Sequence, residues 1–452
     1  MDQVKPNPTI VHPGRAGRPA RARVRGIVPA LVAAVALIAS ACSNGTSEGS
    51  SLGGAGSNSS TPRDKVASDK TTPPADADGT LQPFDGPDFY ALPDPLPDGP
   101  HGTLIRYQPV DDAKVGRGKV YRIMYLSRSV PGKAIAVTGT AVVPKTAAPA
   151  DGRDLITLSH GTTGVADECA PSKAPGGGEL SLLAPLVDKG FLVAESDYEG
   201  LGTPGRHPYL VGVSEGRSVL DAAVAVGSLP DAEAGKQVAI AGYSQGGHGA
   251  LWADQLAQAW TPDLDVVGTF AGAPASEIDV ILKAAPQLPI AGFAYMLIAG
   301  IAAAYPDADP ATFLTPNGLT KLDLVDKGCA GEVISAFAGI KPAALIRPDG
   351  PSSDPWARIA TEDNAGQAKT PDPTLIIQSQ ADDLVPIAFS DILQKRMCAN
   401  GQLVERRVLT DGQGHSAAAV PAYQQAVPWL EARFDPDAPK PKSTCPDEVT
   451  LS

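Results

Sequence analysis

Gly242-Tyr243-Ser244-Gln245-Gly246 sets a serine between glycines two residues away on either side. In a chain with 47 glycines among 452 residues that pattern is weak by itself. Its setting strengthens it: the apolar, strand-like Val238-Ala239-Ile240-Ala241 precedes it and a helical run follows. A strand–turn–helix of this kind strains the serine backbone and exposes its hydroxyl as a nucleophile, which is why small neighbours are needed. A serine hydroxyl is too weak a nucleophile at neutral pH without a base. His415 is the sole histidine beyond His248, in the glycine-rich Asp411-Gly412-Gln413-Gly414-His415-Ser416 after the apolar run Val404–Leu409. An acid is needed to fix its tautomer. It is expected in Ala381-Asp382-Asp383-Leu384-Val385-Pro386, where the Asp-x-x-Val-Pro spacing selects Asp382 over Asp383. The serine–acid–histidine chain order matches this kind of site. Oxyanion donors are expected from the backbone of Gln245 and from the loop Leu158–Gly164, with Thr162 ahead of Thr163. His160 precedes the serine and reads as a support for that loop, and His248 as packing on the helix. His207 and His101 receive no role.

Short apolar runs must position these groups. Val120–Leu126 and Ala134–Val143, split by Val130-Pro131-Gly132-Lys133, predict a hairpin. Further runs at Leu155–Leu158, Phe191–Ala194, Val238–Ala241, Val266–Phe270, Leu375–Ile377 and Val404–Leu409 alternate with helical patterns. Those helices are expected at Glu179–Lys189, Glu215–Gly227, Gly246–Trp260, Ile387–Cys398 and Ala417–Phe434. Strands without polar alternation are covered on both faces, so the class is α/β with a mainly parallel sheet. About 100 residues separate Phe270 from Thr374, too many for a simple connection. Within them Leu288–Tyr305 is apolar on all sides but interrupted by Pro289, Gly292 and Gly300. It is expected to be a buried or lid helix, with Phe293, Met296, Leu297 and Ile301 facing acyl chains. The chain divides into core residues 81–275, a cap at 276–370, core residues 371–435 and a tail at 436–452.

Residues 1–41 read as a signal peptide: a basic start, then the apolar Ile27–Ala41, too short to span a bilayer comfortably. Ala39-Ser40-Ala41-Cys42 resembles a bacterial lipobox, which makes Cys42 a lipidation site, with free secretion as the alternative. Residues 42–80 are rich in Ser, Gly, Thr, Pro and Asp and read as a flexible tether. The formal charge is −13. Removing residues 1–41, which hold six basic groups and one acidic, leaves 31 basic against 49 acidic, a net of −18. Nucleic acid is therefore excluded as a partner. Beyond Cys42 four cysteines remain, Cys169, Cys329, Cys398 and Cys445, an even set that predicts two disulfides with three possible pairings. They lack metal-ligand spacing, so no metal and no cofactor is expected. Nothing in the sequence fixes an oligomeric state.

With these residues laid out, the chain resembles the secretory lipase family, typified by Candida lipase A-like enzymes and including actinobacterial members. The likeness rests on SHGTTG, SDYEGLGTPGRHPYL (Ser196–Leu210), GYSQGGHGALWA around Ser244, and QADDLVP followed by QKRMCANG, over about residues 85–435. It implies an α/β-hydrolase core with a helical cap after the sixth strand. It also implies a lipase or carboxylesterase acting on acylglycerols or simpler esters without a metal. It suggests that Cys169 pairs with Cys329 and Cys398 with Cys445, and that Asp197 to Gly202 has a structural or entrance role. The lipobox and tether are additions to the family plan. The resulting expectation is an exported serine ester hydrolase acting on a lipid or ester, held to a membrane through Cys42. An acyltransferase or peptidase using the same triad, or a non-catalytic lipid-binding lipoprotein, are the alternatives.

Overall fold

A computed structural model describes residues 81–288 and 291–446. The expected signal peptide, Cys42, the tether and Pro289 lie outside them. Nine strands form one sheet: β1 (Leu104–Pro109), β2 (Gly118–Arg128), β3 (Ala134–Pro144), β4 (Arg153–Ser159), β5 (Leu192–Ser196), β6 (Ala234–Tyr243), β7 (Asp265–Gly272), β8 (Thr374–Ser379) and β9 (Val404–Leu409). Their spatial order is β1-β2-β3-β5-β4-β6-β7-β8-β9. The first three strands and the β3–β5 pair run antiparallel, and every later pair is parallel. Strand β1 was not expected from the sequence. It sits in a proline-rich approach, and its register slips between Leu104 and Arg106, so it carries little periodicity.

Side chains on a strand alternate between faces, and here both faces are covered. Leu155, Leu192 and Val238 cluster with Val219 and Leu220 of α3 (Gly212–Val226) and Ala250 of α4 (Gln245–Trp260). Their neighbours Ile156, Val193 and Ala239 turn to the other face. There they meet Leu180 of α1 (Gly178–Leu182), Leu186 of α2 (Ala184–Lys189) and Tyr423 of α12 (His415–Glu431). Farther along, Ile376 packs with Leu393 and Met397 of α11 (Ile387–Ala399). Double coverage is what turns each strand into an unbroken apolar run.

Between β7 and β8 the chain leaves the sheet and returns. The excursion holds α5 (Ile278–Ala284), α6 (Ala291–Ala304), α7 (Pro310–Phe313), α8 (Pro316–Leu319), α9 (Ala330–Ala336) and α10 (Trp356–Glu362). Its two ends meet at a neck where Ala365 N–H donates to the Ser276 carbonyl at 3.1 Å. The sheet continues past the neck as though nothing intervened, with Gly272 opposite Ile377. Helix α6 is apolar all round because it is the centre of this cap. Met296, Leu297 and Ile301 are buried there with Phe313, Phe337 and Trp356. That corrects the expected acyl-facing row: of its four residues, only Phe293 reaches the cavity above Ser244. Among the described residues no helix is long and apolar enough to cross a membrane.

Two disulfides pin the periphery. Cys169–Cys329 joins the loop after β4 to the cap, and Cys398–Cys445 ties the tail to the end of α11. The tail also adds Thr444 N–H to the Val404 carbonyl at 2.8 Å.

Candidate active site

Strand order reverses around β4 and β6, and the crevice at such a switch point is where open α/β sheets place their sites. Ser244 lies there, between the end of β6 and the start of α4, with φ 61° and ψ −119°. This strained turn explains its glycines. A Cβ on Gly242 would lie 2.1 Å from the Gly246 carbonyl oxygen, and one on Gly246 2.0 Å from the Ser159 oxygen. Ser244 N–H donates to the Gly272 carbonyl at 2.8 Å, which anchors the turn to β7.

His415 opens α12. Its Nε2 is 2.8 Å from Ser244 Oγ and its Nδ1 is 2.8 Å from Asp382 Oδ2. The ring is nearly enclosed and the Asp382 side chain fully so. Asp382 Oδ1 accepts the Leu384 and Val385 N–H groups at 3.0 and 2.8 Å, so the carboxylate cannot swing away from the ring. Asp383 has a different position: its Oδ1 accepts the His415 backbone N–H at 2.8 Å, at the first turn of α12. Tyr243 O–H donates to the His415 carbonyl at 2.7 Å. The two adjacent aspartates thus hold the ring and the main chain of one histidine.

The loop after β4 faces the serine. Thr162, Thr163 and Gly161 line the same cavity as Ser244. Thr162 Oγ1 and Tyr209 O–H are 2.9 Å apart, and the Thr163 carbonyl accepts Ala330 N–H from the cap at 2.8 Å. His160 Nδ1 lies 2.6 Å from the Gly161 carbonyl, and its ring packs on Tyr198. Burial lowers its pKa, so it is a neutral strut. Gln245 begins α4, where a helix N-terminus leaves main-chain N–H groups without intrahelical acceptors.

Several polar contacts here were not anticipated from the sequence. Glu179 accepts the Gly161 N–H at 2.8 Å and the Tyr423 hydroxyl at 2.6 Å. Burial pushes its pKa up to about 7. Glu195, in β5, lines the cavity from the side. Behind Ser244, Gln245 Nε2 spans His207 Nε2 at 2.9 Å and Glu215 Oε1 at 2.8 Å. His248 Nδ1 meets Glu215 Oε2 at 2.8 Å while its Nε2 faces the Asp363 carbonyl at 3.1 Å. Asp363 belongs to the returning neck of the cap. Glu195 is the one that carried a signal: an acid inside a strand buried on both faces.

Asp197 accepts the Ser172 N–H at 2.9 Å and the Thr138 hydroxyl at 2.7 Å, and also the Ser172 hydroxyl. It braces the loop over the cavity and does not touch the serine–histidine pair. His101 stacks on Trp260 and bonds Asp221 at 2.6 Å, on the α3–α4 side of the sheet. Among the described residues no cluster of His, Cys, Asp and Glu has the arrangement of a metal site.

A serine, imidazole and carboxylate in line, beside a loop and a helix N-terminus, can open a carbonyl compound by acyl transfer. A profile of secretory lipases matches residues 176–441 of the chain. Lipase A of Moesziomyces aphidis is 24% identical over 385 residues, covering 79% of this chain and 81% of that one. A protein named probable inactive lipase, from Mycobacterium tuberculosis, is 24% identical over 383 residues, covering 78% and 83%. Among solved structures, Candida antarctica lipase A in its closed state superposes with a TM-score of 0.68 at 22% identity, covering 79% of this chain and 87% of that one.

Proposed function

The chain belongs to the secretory lipase family, and from that premise we propose how it cleaves a carboxylic ester. His415 Nε2 takes the Ser244 proton as Oγ attacks the ester carbonyl, and Asp382 stabilises the imidazolium through Nδ1–H. The tetrahedral oxyanion is met by the main-chain N–H groups of Gln245 and Thr162. His415 then protonates the departing alcohol. Water, deprotonated by the same nitrogen, releases the acid from Ser244 and regenerates the enzyme.

The observation that carries this reading is the pair of 2.8 Å contacts made by the two nitrogens of one imidazole, to Ser244 and to Asp382. It also favours an active enzyme over the inactive condition in the name of the Mycobacterium tuberculosis relative. Substitution Ser244→Ala should abolish hydrolysis of p-nitrophenyl esters and labelling by a fluorophosphonate. Retention of either would reject the scheme.

The protein is exported, as a secretory family and the amino-terminal pattern indicate. Its finer placement, an acylated Cys42 on a tether of residues 43–80, rests on the lipobox-like Ala39-Ser40-Ala41-Cys42. Palmitate labelling that disappears in Cys42→Ser supports the anchor, and an unmodified mature N-terminus rejects it.

A further inference from the structure

The cavity that opens on Ser244 has a volume of about 630 Å³ and is also lined by Cys169 and Lys173 from the loop after β4. Its wall includes an acid that no step of the reaction uses. Glu195 sits opposite Leu158 of β4, which in turn sits opposite Ala241 of β6. Two strand spacings across and three residues along put its Cα about 14 Å from that of Ser244. A medium-length acyl or alkyl chain bound at the serine spans that distance.

The two carboxyls on the wall differ in what they have left to bind. Glu179 is occupied on both oxygens, by Gly161 N–H and by Tyr423 O–H. Glu195 is buried and makes no side-chain hydrogen bond among the described residues, yet it borders open volume. A buried carboxyl left facing an alkyl chain forfeits its hydrogen bonds to water and gains none in return. A ligand hydroxyl would supply both a donor and an acceptor. Burial, and after it the neighbouring Asp197 and Glu179, raise the Glu195 pKa well above the ordinary carboxyl range. The neutral acid then matches a neutral hydroxyl better than a cation.

We propose that the part of this cavity beside Glu195 is a subsite for a hydroxyl group of the substrate, held by the Glu195 carboxyl, so that hydroxylated esters are preferred over plain alkyl esters. The proposal rests on the ester-hydrolase reading and specifies its substrate class.

Two measurements on the unaltered protein separate the two ideas. Hydrolysis of p-nitrophenyl acetate reads the hydrolase assignment alone. Calorimetric binding of 1,8-octanediol against 1-octanol reads the subsite without any catalysis. The diol should bind at least about tenfold tighter, since a site built to bond a hydroxyl discriminates strongly against the analogue without one. In kcat/KM, p-nitrophenyl 8-hydroxyoctanoate should likewise exceed the octanoate. Glu195→Leu should erase or invert both ratios, and Glu195→Gln, which keeps a donor and an acceptor, should retain most of each. Equal binding of the two alcohols, or a preference that survives Glu195→Leu, would overturn the subsite even if acetate is hydrolysed.

Discussion

His248 Nδ1 and Glu215 Oε2 stand 2.8 Å apart, both fully buried, one helical turn beyond Ser244. The other ring nitrogen faces the Asp363 carbonyl, so each nitrogen has an acceptor and the ring is suited to carry both protons. Burial alone would lower its pKa. The bond to Glu215 and the nearby Asp363 outweigh that and raise it above 6.5. Stabilisation from this pair is then complete below pH about 6.5 and is lost as pH rises through the raised folded value.

Removing one member of a buried pair strands the other, at a cost of about 3–5 kcal/mol. Glu215→Ala should lower unfolding stability by that amount in urea titrations at pH 6. It also removes one of the two partners of the Gln245 amide, so kcat should fall more than KM changes.

The two adjacent aspartates are expected to separate in kinetics. Asp382 holds the His415 ring, and its loss should reduce kcat by about 10⁴, as when a triad acid is neutralised. Asp383 holds only the His415 main-chain N–H. Asp383→Ala should cost about 1 kcal/mol of stability, the scale of a lost helix cap, with most of the rate retained. Steady-state kinetics beside thermal melts of both variants check this.

Glu179 sets a second pH dependence of stability. Its folded pKa of about 7 lies above the unfolded value of 4.5. Between those limits the folded protein keeps a proton that the unfolded chain has released, so stability falls as pH rises from about 4.5 to 7. With partial screening by cavity water the loss is about 2–3 kcal/mol. Glu179→Gln should show a shallower decline across that window when unfolding free energies are compared pH by pH.

The Cys169–Cys329 bridge closes a sequence separation of 160 residues between the loop after β4 and the cap. Chain entropy sets its contribution at up to about 5 kcal/mol. The double substitution to Ser should lower Tm and raise KM for longer esters, because Thr163 and Ala330 then lose their covalent neighbour. Mild reduction of the unaltered protein should reproduce the effect.

What the sequence disclosed, and what it hid, follows from how each feature is encoded. Ser244 is legible because its positive φ and the close approach of Ser159 demand glycines at fixed offsets. The sheet is legible because double-sided burial writes continuous apolar runs. Asp382 could be ranked above Asp383 by spacing, but only the three-dimensional arrangement shows that one meets the imidazole and the other the backbone. The Glu215–His248 and Glu179–Gly161 contacts join residues from different elements, and no local pattern marks them. Helix α6 misled for a related reason: an all-apolar helix facing acyl chains and one buried inside a cap have the same composition. Its placement is set by its neighbours Phe313, Phe337 and Trp356.

The neck at Ser276 and Ala365 bears on synthesis of the chain. Strand β7 leaves the ribosome roughly 5–20 s before its partner β8, at ordinary translation speeds. Through that delay β7 presents an unfilled row of amides, a template for whatever extended backbone arrives first. The intervening residues that are described form helices joined by loops, and pair in extended form only at single bridges such as Leu314 to Ile346. Helical backbone satisfies its own amides, and among the described residues of the excursion no strand exists that could take the place of β8 beside β7.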